Sequence, residues 1–174
     1  MKMPRTSRDA VIFVYEALNG IGAFLQPLVL LLLRLHWGWQ FYLSGKGKLI
    51  NHQRTADFFS ALGIPAADLN AWFVGGVECF GGLLLLVGLF SRPTAFILAI
   101  NMLVAYLSVT ADREALLGMF SNPSAFVAAD PFFFLLLAVI VLAFGPGKIA
   151  VDTLLKRRWG YLLIRRPEIK DSWS

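Results

Sequence analysis

FLQPLVLLLLRLHWGWQFYLS, residues 24–44, and NAWFVGGVECFGGLLLLVGLF, residues 70–90, decide the fold of this chain. Each is about the length a helix needs to cross a hydrocarbon core of ~30 Å. Each also carries ionisable groups near its middle: Arg34 and His36 in the first, Glu78 in the second. Working outward, residues 94–109, with Asn101 inside, and residues 131–144 form two further apolar runs. The expected architecture is an all-α membrane protein, a four-transmembrane-helix bundle with a polar interior.

Composition agrees. Hydrophobic residues make up 57% of the chain and charged residues 16%, against ~25% charged in a soluble domain. No small-x-small site closes a short apolar stretch near the start, so a cleaved signal peptide is not expected. The single cysteine, Cys79, excludes an internal disulfide and a paired-thiol redox motif.

The distribution of charge says more than the net +5. With four spans, both termini and the second loop share one side. Lys2, Arg5, Arg8, Arg92, Lys148 and the tail cations from Lys156 to Lys170 fall there. Only Lys46, Lys48, Arg54 and Arg113 fall opposite. Lys and Arg concentrate in cytoplasmic loops, so both termini are expected in the cytoplasm. Lys156-Arg157-Arg158 then reads as an anchor on anionic lipid rather than a nucleic-acid patch. Residues 1–23 read as a basic tail and a short amphipathic interfacial helix, 24–152 as the membrane domain, and 153–174 as a basic cytoplasmic tail. Ser44-Gly45-Lys46-Gly47 is expected to end the first span. Residues 51–69 form an amphipathic connector, and residues 110–130 an outer loop resting on the membrane.

At ~100° per residue, Arg34, Gly38, Phe41, Gly45 and Lys48 share one helix face, with His36 and Gln40 on an adjacent one. In the second helix Ala71, Gly75, Glu78 and Gly82 align, and small residues allow another backbone to approach closely. In the third, Thr94, Asn101, Ala105 and Ser108 align likewise. Gly38, Gly45, Gly75 and Gly82 are therefore the expected packing positions. Isolated charges in lipid cost a few kcal/mol even on the gentler scale, so partners are required. One reading is structural: Glu78 pairs with Arg34 or a lysine, and Asn101 bonds across helices. The other is a cavity that binds a polar head group, such as a quinone ring or a small anion. His36 has no second histidine at ligand spacing, so no metal site is expected. Cys79, beside Glu78 and among apolar residues, reads as an inert packed thiol.

The order and spacing of several motifs resemble the DoxX family of small bacterial membrane proteins. They are Arg34-x3-Gly38-x2-Phe41-x3-Gly45-x2-Lys48, Leu62-Gly63-Ile64-Pro65, Glu78-Cys79-Phe80-Gly81-Gly82-Leu83, Asn101-Met102-x2-Ala105, and Gly145-Pro146-Gly147 followed by Asp152. The resemblance covers about residues 28–152. It implies a four-helix bundle in the bacterial inner membrane and a link to quinone-coupled redox or detoxification assemblies. The expected role is the membrane component of such a system, a quinone-linked oxidoreductase subunit if it is an enzyme. Quinone is the candidate cofactor, and the partners are the lipid bilayer and a soluble or membrane redox protein. In this reading Arg34 and Glu78 form the charged pair, His36 lies beside it, and Gln40 and Asn101 donate to a ligand carbonyl. Lys46 and Lys48 attract an anion or an acidic partner at the outer mouth. The alternative is a non-catalytic membrane anchor or assembly subunit for a soluble partner. A small anion transporter is a third reading; the chain shows no inverted repeat, and a pore would require a homo-oligomer.

Overall fold

The computed structural model describes residues 7–164, whose regular structure is entirely helical. The expected tail cations Lys2, Arg5, Arg165, Arg166 and Lys170 lie outside the described residues. Eight helices follow one another: α1 (Ser7–Ile50), α2 (His52–Ala61), α3 (Ala67–Val87), α4 (Ser91–Ser108), α5 (Thr110–Leu117), α6 (Pro123–Ala128), α7 (Pro131–Phe144) and α8 (Val151–Ile164). Helices α1 and α3 are long and apolar enough to cross a membrane. Helices α4 and α5 qualify only together, as a pair bent by 106°. Helix α7 has 14 residues, about 21 Å at 1.5 Å per residue.

The first helix corrects the sequence reading. It neither begins near Phe24 nor stops at Ser44-Gly45-Lys46-Gly47, but runs unbroken for 44 residues, about 66 Å. Gly45 and Gly47 do not act as stop signals, and Gly45 is fully packed against α3. Pro27 lies inside the helix without ending it; the missing amide removes one backbone hydrogen bond, and the apolar sequence continues on both sides. Leu30 is the first buried side chain of α1, and the segment before it is almost wholly exposed.

Antiparallel packing of α1 on α3 is the main contact of the bundle. It depends on glycine because the two backbones nearly touch. A Cβ on Gly45 would lie 2.6 Å from the Gly75 carbonyl oxygen and 2.8 Å from Cys79 Cα. One on Gly82 would lie 2.7 Å from the Gly38 carbonyl oxygen. Helices α4 and α7 complete the interior, where Phe41, Leu85, Leu98, Met102, Leu137 and Val141 are buried in one cluster. Helix α2 packs over the N-terminal end of α3 through Phe59 and Ala56 against Ala71. Beyond the bend at Val109, α5 and α6 close over the same end, tied down where the Tyr106 hydroxyl donates to the Phe126 carbonyl at 2.9 Å.

At the other end, α3 stops at Gly88, whose φ of +71° is the left-handed C-cap geometry. Helix α4 begins almost at once and has no capping side chain of its own. Asp152 in the first turn of α8 supplies the cap instead. Its two carboxylate oxygens accept from the amides of Phe90 and Ser91, each at 2.8 Å, while its own amide donates to the Gly88 carbonyl at 2.9 Å. Burial alone would raise the Asp152 carboxyl. The hydrogen bonds from Ser91 and Phe90 and the nearby Lys156 outweigh it and hold the group below its ordinary value.

Two predictions follow from this packing. Gly45→Ala should lower stability by about 1–3 kcal/mol, the cost of overpacking a closed contact. Gly47→Ala, where nothing lies within 4 Å of the added carbon, should be neutral or slightly stabilising; thermal melts in mild detergent compare them. Asp152→Asn, which leaves one acceptor oxygen for two backbone amides, should cost about 1 kcal/mol at pH 7, as for loss of one hydrogen bond. Because the folded-state value is depressed, the wild-type advantage is present above the unfolded carboxyl value of ~3.9. It should shrink as pH falls through the lower folded value, which melts at neutral and acid pH would show.

Candidate functional site

Two polar clusters sit at opposite ends of the α1–α3 contact. Around Glu78, which is 2% exposed, three helices converge. Oε1 accepts from Asn101 Nδ2 on α4 at 3.1 Å. Oε2 accepts from Ser44 Oγ on α1 at 2.8 Å and forms an ion pair with Lys48 Nζ. Lys48, one turn beyond Ser44, also donates to Ser44 Oγ at 2.8 Å. A carboxylate at this depth is tolerable because a cation and two neutral donors compensate it together.

This cluster faces a cavity of about 460 Å³. Phe41, Met102 and Phe134 supply apolar wall from three helices, and Phe58, Phe59 and Ile64 come from α2 and the turn after it. Two acids from the segment between α4 and α7, Asp112 and Asp130, also line it. The Asp112 carboxyl is raised by burial and by the like charge of Asp130. A mostly apolar chamber with a few convergent polar groups suits an aromatic or aliphatic body with one polar head. Asn101 and Lys48 can donate to a carbonyl oxygen, and Glu78 can accept from a hydroxyl.

The second cluster is built on Arg34, 1% exposed, and it does not contain Glu78. Nε donates to the Leu85 carbonyl at 2.9 Å and Nη2 to that of Leu86 at 3.1 Å. Nη1 donates to Ile149 at 3.1 Å and to Pro146. The guanidinium thus meets two last-turn carbonyls at the C-terminal end of α3, where a cation is favoured, and two carbonyls of the loop between α7 and α8. The expected Arg34–Glu78 pair is therefore corrected: Glu78 pairs with Lys48, and Arg34 fastens α3 to the loop between α7 and α8. Glu78 is level with Ser44, ten residues along α1 from Arg34, an axial distance of about 15 Å that no arginine side chain spans.

The other expected residues are placed as follows. His36 is exposed on α1, with its ring edge-on to Trp37 at 5.0 Å. Gln40 is half-buried and outside the cavity lining. Lys46 is exposed and sits over the Tyr42 ring, 5.8 Å from its centre. His52 pairs with Asp68 at 2.7 Å and stacks on Trp72, joining α2 to α3. Among the described residues no three His, Cys, Asp or Glu side chains gather as metal ligands would. Sequence reasoning overlooked Ser44, although its i, i+4 spacing to Lys48 was a usable signal. It also overlooked Asp112 and Asp130, which no periodicity could place because they lie in the short elements that link α4 to α7.

Residues 29–111 match the DoxX family. An uncharacterised protein of Haemophilus influenzae is 28% identical over 144 residues, covering 80% of this chain and 89% of the relative. The inner membrane protein YqjF of Escherichia coli is 28% identical over 145 residues, covering 83% and 99%. CatD of Bacillus subtilis, whose name proposes an oxidoreductase, is 30% identical over 79 residues, covering 45% and 58%. No solved structure matches the chain.

Lys48→Met should cost about 3–5 kcal/mol, because it leaves the Glu78 carboxylate buried without a counter-ion. Adding Glu78→Gln should restore most of that loss. Melts of the two single variants and the double variant give the coupling directly, and strictly additive losses would disprove the pairing.

Proposed function

We propose that this chain, a member of the DoxX family, is the inner-membrane component of a redox or detoxification system and binds a quinone-like ligand in the cavity above Glu78. In this reading four helices cross the bilayer, α1, α3, α4 and α7, with both termini in the cytoplasm, as the charge bias requires. The cavity then opens toward the outer face. The exposed arm of α1 before Leu30 continues the same unbroken helix beyond the bundle, with Ala10, Val11, Phe13, Val14, Leu18, Ile21 and Leu25 along one apolar side.

The supporting observation is the meeting of a buried, fully hydrogen-bonded carboxylate with an open apolar chamber. Asn101 and Lys48 hold a ring carbonyl. Glu78 takes or returns a hydroxyl proton at Oε2, and Asp112 and Asp130 line the same cavity. Electrons pass to or from a soluble or membrane redox partner. In this reading Glu78, Asn101 and Lys48 of the expected site remain, Ser44 joins them, and Arg34, His36 and Gln40 fall away.

A second reading has one observation in its favour: Glu78, Ser44, Lys48 and Asn101 already satisfy one another. They would then only fix the bundle, and the protein would serve as an anchor or assembly subunit.

Extraction in mild detergent, with mass spectrometry and an absorption spectrum of what co-purifies, separates the two readings. A quinone retained by wild type and lost in Glu78→Gln is the expected result. Apoprotein in both, with a soluble protein captured equally by both, would establish the anchor and overturn the ligand site.

A further inference from the structure

A second cavity, of about 610 Å³, lies at the Arg34 end of the bundle, between α1, α4, α7 and α8. Its lining combines three cations with apolar wall. The cations are Arg92 at the start of α4, Lys148 in the loop after α7, and Lys156 on α8. The wall includes Pro27, Leu30, Pro93, Phe90 and Phe144. Asp152 is the one acid in the lining, and both its oxygens are occupied by the amides of Phe90 and Ser91. Thr153 is committed as well, donating to the Gly147 carbonyl at 2.7 Å. Arg92 is steadied by a long contact, 3.4 Å, from Nη2 to the Ala143 carbonyl. Neither Lys148 nor Lys156 forms an ion pair with a described residue.

We propose that this cavity binds one anionic phospholipid, with its phosphodiester held by Arg92, Lys148 and Lys156 and its acyl chains running out past Phe90 and Phe144. Three observations carry this beyond general attraction of basic residues to a membrane. The cations come from three different elements and meet around one concavity. The lining sets three cations against a single carboxylate, Asp152, whose oxygens already accept the Phe90 and Ser91 amides, so a net positive charge remains around the concavity. Phe90 and Phe144 are 64% and 67% exposed, as side chains facing lipid at the interface would be. A pocket walled only by polar groups would suit free phosphate; this one offers an apolar exit of the kind an acyl chain needs. The charge bias places this end at the cytoplasmic leaflet, where anionic lipid is available to basic pockets between helices. The site is separate from the Glu78 cavity and does not depend on its ligand.

Native mass spectrometry of the full chain in mild detergent reads the stoichiometry. Wild type should retain one phosphatidylglycerol per chain, and Arg92→Gln/Lys148→Gln/Lys156→Gln should lose it. After delipidation, adding back phosphatidylglycerol should raise the melting temperature of wild type, and phosphatidylcholine should not. Affinity should fall roughly fivefold for each cation removed, as for one basic residue at an anionic surface. The single variant Lys148→Gln, at an exposed side chain, supplies the comparison if the triple variant fails to fold. Equal retention by wild type and Lys148→Gln, or equal stabilisation by phosphatidylcholine, would overturn the proposal. Stabilisation by millimolar inorganic phosphate equal to that by phosphatidylglycerol would overturn the lipid and leave a simple anion site.

Discussion

The near-contact of the α1 and α3 backbones governs the rest of this structure. Between helices in a bilayer there is no hydrophobic driving force of the kind water provides, because lipid tails are as apolar as leucine. Association rests on close packing, and Gly38, Gly45, Gly75 and Gly82 bring the two backbones together along the whole contact. Such a contact has one register. Sliding α1 by a turn would press Tyr42 or Leu49 onto the positions that now receive Gly38 and Gly45. The register in turn determines which polar groups can meet.

It places Glu78 beside Ser44 and Lys48, and Arg34 beside the last carbonyls of α3. The two ionised groups therefore solve their burial differently. The guanidinium has five donors and no acceptor, so backbone carbonyls from the last turn of α3 and the loop before α8 satisfy it without a direct ion pair. The carboxylate needs donors and a cation and finds them on two other helices. Arg34 thereby joins three segments that are far apart in sequence: α1, the end of α3 and the turn leading into α8. Asp152 works from the opposite side of that turn, capping α4. Gly88 lies between them, and a side chain there would meet the guanidinium at 2.6 Å.

Periodicity read much of this from sequence. The segments of α3, α4 and α7 were visible in the apolar runs, and the aligned stripes picked out Glu78 and Asn101, which meet across α3 and α4. The partner of Glu78 was not legible, because stripes give azimuth and leave axial register open. Arg34 and Lys48 share a face, and only the antiparallel offset of α3 chooses between them. The length of α1 was missed for a related reason. Serine, glycine and lysine at residues 44–47 look like a terminus when read locally, while their burial against α3 is a tertiary fact. Asp112 and Asp130 reach the cavity through a 106° bend that no helical period encodes.

The same register bears on what the Glu78 cluster is for. A buried ion pair is seldom the most stable filling of its space; apolar side chains of similar volume often serve as well or better. Such pairs are sometimes explained as devices for fixing register. Here the glycine contacts already fix it, at Gly38 with Gly82 and at Gly45 with Gly75, on either side of Glu78. The charge is thus not needed for alignment and is costly for stability. What it adds is chemical: a carboxylate, an ammonium, an amide and a hydroxyl presented together to one cavity. That surplus over structural need is the physical argument for a ligand.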